Sequence, residues 1–288
     1  MREFSRVGVV GCGLMGSGIG QVCARAGLDV LVAERDAETL AAGRSRLIDS
    51  VDRGLRGGRL TEEERDATVQ RLTFTSDLGD FADRDLVIEA VAERRDAKVL
   101  VFERLDRALG DSEAVIASNT SSIPIIDLAA VTTRPQSVVG VHFFNPVPVQ
   151  RLVEVIPTQL TAPDVVDEVT AFVGQRLGKT VIRAKDRAGF VVNALLVPYL
   201  VSAVRMLESG VASAEDMDAG MVLGCAHPMG PLRLLDLIGL DTALSIAESM
   251  YEEFKEPLYA PPPLLRRMVA AGAVGRKAGR GFYVYASR

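Results

Sequence analysis

His142 and Glu154 stand twelve residues apart in "GVHFFNPVPVQRLVEVI". An imidazole titrates near neutrality, which makes it the usual proton acceptor for a secondary alcohol that is losing a hydride. A glutamate between Val153 and Val155 is expected to be half buried, and a buried carboxylate needs a partner. An imidazole suits it, because the carboxylate fixes the ring tautomer and stabilises the imidazolium. Upstream, Asn119, Thr120, Ser121 and Ser122 in "SNTSSIPI" offer an amide and three hydroxyls to a substrate oxygen. Each feature also has a plainer reading: a loop histidine, an outward-facing glutamate in an alternating strand, and a hydroxyl-rich turn.

A second group lies near the N-terminus. Gly11, Gly13 and Gly16 in "VGVVGCGLMGSGIG" fit G-x-G-x-x-G, behind an apolar run and ahead of a helical pattern. The first glycine makes a tight turn, the second lets a pyrophosphate reach the backbone, and the third brings helix and strand close. The anion then meets free N–H groups and the positive end of the helix. Gly18 and Gly20 are not demanded by this pattern and are expected to permit close helix–sheet packing. Glu34 ends the next apolar run, eighteen residues past Gly16. Its carboxylate suits the adenosine ribose and repels a 2′-phosphate, which favours NAD. Arg35 beside it attracts that same phosphate, so NADP stays open.

These residues need a scaffold, and the pattern of the chain supplies one. Eight apolar runs occur at 6–10, 29–34, 71–75, 85–91, 114–119, 137–144, 152–156 and 179–184, separated by polar or helical stretches. Consecutive apolar residues suit strands buried on both faces of a mostly parallel sheet. Between the second and third runs, Asp36 to Arg71 is expected to form two helices, the second opened by Thr61 with Glu64 three residues on. After Lys185 the strand signal stops, and helices are expected, ended by Gly210, Gly224 and Gly239 and broken by Pro228, Pro231 and Pro261–Pro263. The fold class is α/β: a Rossmann-type doubly wound sheet with a helical insertion over 1–185, then an all-α domain over 186–288.

Composition narrows the partners. The chain has 288 residues, 48% hydrophobic and 25% charged, with a formal net charge of -5. That balance gives no basic field for nucleic acid or an anionic membrane. Cys12, Cys23 and Cys225 fit neither a disulfide framework nor a metal spacing, which points to a reduced, cytoplasmic chain. His142 and His227 are the two histidines, too far apart for a zinc motif, and His227 lies in a glycine- and proline-rich turn where a structural role is expected. The N-terminal apolar run is glycine-rich and leads into a polar helix, unlike a signal peptide. Gly189 to Val204 is apolar but holds Asn193 and Pro198, and is shorter than the roughly 20 residues of a membrane span.

Eight segments, in order, resemble the 3-hydroxyacyl-CoA dehydrogenase family, and most closely its single-function bacterial 3-hydroxybutyryl-CoA dehydrogenase branch. They are "GCGLMGSGI", "DLVIEAVAE", "ASNTSSIPI", "GVHFFNPVPV", "RLVEVI", "DRAGFVVNALLVPYL", "HPMGPLRLLDLIGLDT" and "GRKAGRGFYVY". The resemblance implies His142 as catalytic base, Glu154 as its partner, and Ser121 and Asn193 as the groups holding the reacting oxygen. For the cofactor it implies Gly11, Gly13, Leu14, Met15 and Gly16, then Glu34, Glu93, Lys98, Asn119, Ser121, Asn145 and Lys277. Glu34 stands where many relatives carry aspartate, and the longer side chain changes the fit to the ribose. The helix pair after the second strand contributes to the coenzyme A site in that family. Here it carries Arg44, Arg46, Arg53, Arg56 and Arg59, none of which is matched individually. The resemblance further implies an acyl-CoA substrate, a four-carbon acyl group and a homodimer built on the helical domain. A dehydrogenase of a free hydroxy acid or sugar acid, and a non-catalytic dinucleotide-binding protein, are the alternatives on the same fold.

Overall fold

The computed structural model describes residues 2–285, which form two compact units that meet between Asp186 and Arg187. The first holds one eight-stranded sheet: β1 (Arg6–Val10), β2 (Asp29–Ala33), β3 (Leu72–Thr75), β4 (Leu86–Glu89), β5 (Val115–Ser118), β6 (Val138–Phe143), β7 (Leu152–Pro157) and β8 (Thr180–Arg183). Their spatial order is β3-β2-β1-β4-β5-β6-β7-β8. Every residue of β4, β5 and β6 is buried, as their unbroken apolar character requires of strands covered on both faces. Strand order reverses direction between β1 and β4, and ligands of such sheets gather at the carboxyl ends beside that point.

The helices of this unit are α1 (Leu14–Arg25), α2 (Ala37–Arg56), α3 (Glu62–Gln70), α4 (Arg95–Leu109), α5 (Ile125–Ala129) and α6 (Pro163–Ala171). α3 opens with a capping box: the Thr61 hydroxyl accepts from the Glu64 amide, and the Glu64 carboxylate accepts from the Thr61 amide. α1 packs closely because of its glycines. A Cβ on Gly16 would stand 1.7 Å from the Gly11 carbonyl oxygen. At Gly20 it would meet Leu47 of α2 and Val32 of β2, which is helix–sheet packing. Gly18 departs from that expectation, since its Cβ would strike Val147 in the β6–β7 connection at 2.8 Å.

The pairings within the sheet are parallel except β6–β7. Residues 144–151 link these two strands without a helix. A parallel return needs a crossover of a dozen or more residues, so β7 runs back antiparallel. In that register His142 lies directly opposite Glu154.

The second unit is helical: α7 (Val192–Glu208), α8 (Ala214–Cys225), α9 (Pro231–Ile238), α10 (Leu240–Phe254) and α11 (Pro263–Ala270). Proline occupies the first position of α9 and α11, where no intrahelical donor is lost. Gly224 does not end its helix. α8 continues through it to Cys225, and Ala226 turns left-handed at φ 56°, with the His227 amide donating to the Met221 carbonyl. His227 Nδ1 lies 3.3 Å from the Tyr199 hydroxyl. Two buried aspartates tie this unit together. Asp236 accepts from the Phe282 and Tyr283 amides and the Tyr285 hydroxyl, each at 2.9 Å. Asp218 accepts from the Leu232 and Arg233 amides and the Tyr283 hydroxyl. No helix among the described residues is long and apolar enough to cross a membrane. No group of His, Cys, Asp or Glu among them is arranged to hold a metal ion.

Candidate active site

The β6–β7 ladder places His142 and Glu154 face to face, 4% and 0% exposed. His142 Nδ1 lies 2.7 Å from Glu154 Oε2. A carboxylate can only accept there, so Nδ1 carries the proton, which in the neutral ring leaves the lone pair on Nε2. Nε2 faces the Ser121 hydroxyl at 3.0 Å. Phe144 covers one side of the ring, with centroids 4.6 Å apart. In that tautomer the acceptor atom of the ring is aimed at a hydroxyl. Complete burial of Glu154 replaces the half-buried position expected from alternation.

Ser121 belongs to a loop that leaves β5, and one carboxylate organises that loop. Glu93 Oε1 accepts from the Thr120 hydroxyl at 2.6 Å, the Ser121 amide at 2.8 Å, and the Ser122 amide and hydroxyl at 3.1 Å. Burial alone would raise the Glu93 carboxyl, but the Lys98 ammonium and these bonds outweigh it and hold it below the ordinary glutamate value. Asn119 closes the other side, its Oδ1 accepting from the Phe143 amide at 2.8 Å. Behind the loop lies Glu89, the last residue of β4, fully buried and unremarked in the sequence reading. Its signal was a lone acid inside the apolar run "DLVIEAV".

At the switch point, β1 runs into the glycine turn. Gly11 takes φ +94°, and a Cβ on it would lie 2.7 Å from the Ala90 carbonyl oxygen. A Cβ on Gly13 would meet nothing within 4 Å, so the turn is open where a ligand would approach the backbone. Glu34 accepts from the Cys12 amide at 2.6 Å, which fixes it beside this turn. The Arg35 guanidinium is turned onto Asp36 at 2.9 Å. The Cys12 thiol is pushed up to about 12, first by burial and then by the Glu34 charge, so it stays protonated.

Residues 6–187 match the family model described as 3-hydroxyacyl-CoA dehydrogenase, NAD binding domain, and residues 189–285 match its C-terminal domain. The chain belongs to the 3-hydroxyacyl-CoA dehydrogenase family. A curated relative, 3-hydroxybutyryl-CoA dehydrogenase of Mycobacterium tuberculosis, is 57% identical across 98% of this chain and 99% of its own. The crystal structure of M. tuberculosis FadB2 superposes with TM-score 0.97 at 56% identity, over 99% of this chain and all of that one. That of (S)-3-hydroxybutyryl-CoA dehydrogenase PaaH1 from Ralstonia eutropha gives TM-score 0.92 at 44% identity, over 99% of this chain and all of that one.

The remaining positions implied by the family pattern divide by unit. In the 3-hydroxyacyl-CoA dehydrogenase sheet unit, Leu14 is exposed at the start of α1, Met15 is half-buried, and Asn145 is exposed in the β6–β7 connection. Lys98 lies below the surface, its Nζ 2.7 Å from Glu89 Oε1 and 3.3 Å from Glu93 Oε2. Any part it plays toward a cofactor thus passes through Glu93. Of the insertion arginines, Arg44 stacks over Phe74 at 5.5 Å, and Arg46 donates to the Cys12 carbonyl. In the helical unit, Asn193 is buried at the second position of α7, and Lys277 is held 2.6 Å from Asp241. Three residues before Asn193, Phe190 is buried, whereas Leu195 is 75% exposed.

Proposed function

We propose that the chain is a nicotinamide-dependent oxidoreductase that interconverts (S)-3-hydroxybutanoyl-CoA and acetoacetyl-CoA. The observation that carries the reading is His142, held at Nδ1 by Glu154 and offering Nε2 toward Ser121. The names of the relatives point the same way.

The glycine turn fits a dinucleotide: it is open at Gly13, closed by contact at Gly11 and Gly16, and flanked by Glu34. Gly11, Gly13, Leu14, Met15 and Gly16 would hold its pyrophosphate, and Glu34 its ribose. Glu93, Asn119, Ser121 and Asn145 would complete the cofactor site of the sheet unit, with Lys98 behind Glu93. When bound, the cofactor accepts or returns the hydride at substrate C3. His142 Nε2 takes the proton of the 3-hydroxyl as the C3–H bond breaks and the carbonyl forms. Glu154 stabilises the imidazolium so produced, and Ser121 holds the oxygen. In reduction the imidazolium returns the proton to the ketone oxygen. Positioning supplies much of the rate, because hydride transfer needs near contact.

Glu34 favours NAD over NADP, and Arg35, occupied with Asp36, does not counter it. The exposed Leu195 and Leu223 of the helical unit support a homodimer, the commonest closed assembly. Free, buried Cys12 and Cys23 agree with a cytoplasmic setting.

The test is 3-oxoacyl-CoA reduction from C4 to C16 with both cofactors, alongside free 3-oxo acids. Turnover of acetoacetyl-CoA with NADH and none of the free acid is expected. Each methylene accommodated in an open apolar tunnel adds about 0.8 kcal/mol, so kcat/KM at C16 well above that at C4 would overturn the short-chain assignment. Preference for NADPH would overturn the cofactor, and a strict monomer by light scattering the assembly.

A further inference from the structure

We propose that Glu89 is a positioning residue that sets the place of Ser121 against His142 through a line of charge whose inner members are buried. The line runs across two strands. Glu89 Oε2 accepts from the Ser118 hydroxyl at 2.6 Å, and Oε1 from the Val91 amide at 2.7 Å. Oε1 also takes the Lys98 ammonium at 2.7 Å, and that ammonium reaches Glu93. Glu93 in turn holds Thr120, Ser121 and Ser122. Glu89 and Lys98 are both 0% exposed.

Two features make this more than a buried ion pair. First, Glu89 grips both ends of the segment that carries Ser121: directly at Ser118, and by way of Lys98 and Glu93 at residues 120–122. Second, the line has one cation and two anions, and at its inner end Glu89 and Lys98 are buried, so no water compensates there for a charge that is removed. Such networks respond as units, and their members couple when mutated together.

The kinetic arm of the test rests on the proposed reaction, and a spectroscopic arm does not. Ser121→Ala, Glu89→Gln and the double variant are compared for acetoacetyl-CoA reduction. Misplacing a reacting group by a fraction of an ångström to 1 Å costs on the order of 10-fold to 100-fold. Glu89→Gln is expected to lower kcat about 10-fold, and the double variant to fall no further than the worse single change. In parallel, the His142 proton resonance is titrated by NMR. With two histidines in the chain, His227→Gln assigns the signals. Of the groups described against His142, which are Glu154, Ser121 and Phe144, Ser121 is the one whose own amide is held by Glu93 at the end of the Glu89 line. Glu89→Gln should therefore move the His142 midpoint in the direction that Ser121→Ala moves it. If Glu89→Gln does not fold, Ser118→Ala enters both arms in its place. A wild-type kcat and titration in the variant, or losses that multiply in the double variant, would overturn the proposal. A wild-type chain that leaves acetoacetyl-CoA untouched sinks the reaction instead, and the titration then decides the positioning role.

Discussion

Both units bury carboxylates, and the two sets do different work. In the sheet unit, Glu154 faces an imidazole. In the helical unit, Asp218 and Asp236 face backbone amides and tyrosine hydroxyls. The Tyr283 hydroxyl is raised by burial and then by Asp218, so it remains a donor. Burial of an acid thus marks no function by itself. What decides is whether the partner can change its protonation during a reaction. Imidazole can, whereas an amide N–H cannot.

His142→Gln should break the contrast most sharply. It should lower kcat about 10² or more, the usual general acid–base contribution, with little change in Tm. Glu154→Gln should also lower kcat, by removing the charge opposite the imidazolium. Near-normal turnover in the first variant would remove His142 from the chemistry; in the second it would make Glu154 a structural acid like Asp236. Asp236→Ala is the mirror experiment. Two amides and a hydroxyl lose their acceptor, at about 2 kcal/mol or more for buried donors. Thermal unfolding should show the loss; an unchanged Tm would mean the C-terminal segment is held by other contacts.

A smaller effect separates Glu93 by pH. Its folded value lies below the ordinary one, so its stabilisation is complete above about pH 5 and fades as pH falls through the folded value. The Tm difference between wild type and Glu93→Gln should be level above that pH and shrink below it. A difference that grows on acidification would mean that the carboxyl prefers its neutral form. Smallest of all, a thiol reagent should modify exposed Cys225 in the native chain and spare buried Cys12 and Cys23. Burial pushes both of those thiols to about 12, and fast labelling of either would contradict that environment.

The strands were legible because covered sheets leave runs such as "DLVIEAV" and "AVIASN" that no exposed segment tolerates. The glycine turn and the pair His142 and Glu154 were legible from residue type, since each is costly outside its role. Lys98 was not. A lysine in a helix among arginines and aspartates looks solvated, and only Glu89 and Glu93, brought up by β4 and its loop, make a dry place for it. The end of α8 was misplaced because Gly224 has the right type, while the helix runs on to Cys225 and closes with the left-handed Ala226 and the bond from His227 to Met221. The direction of β7 was written in the length of the connection before it, a count rather than a composition.

That reversed strand has a consequence for inheritance. Side chains alternate along a strand, so a slip of one residue between β6 and β7 would carry Glu154 to the opposite face. Val153 and Val155 would replace it beside His142, leaving the face where they pack in one core cluster with Val139, Val141 and Phe143. Selection for a well-packed valine layer therefore preserves the acid–base pair without reference to any substrate. An apolar substitution on that layer that loosens the register would part the proposed acid–base pair, although it touches neither His142 nor Glu154.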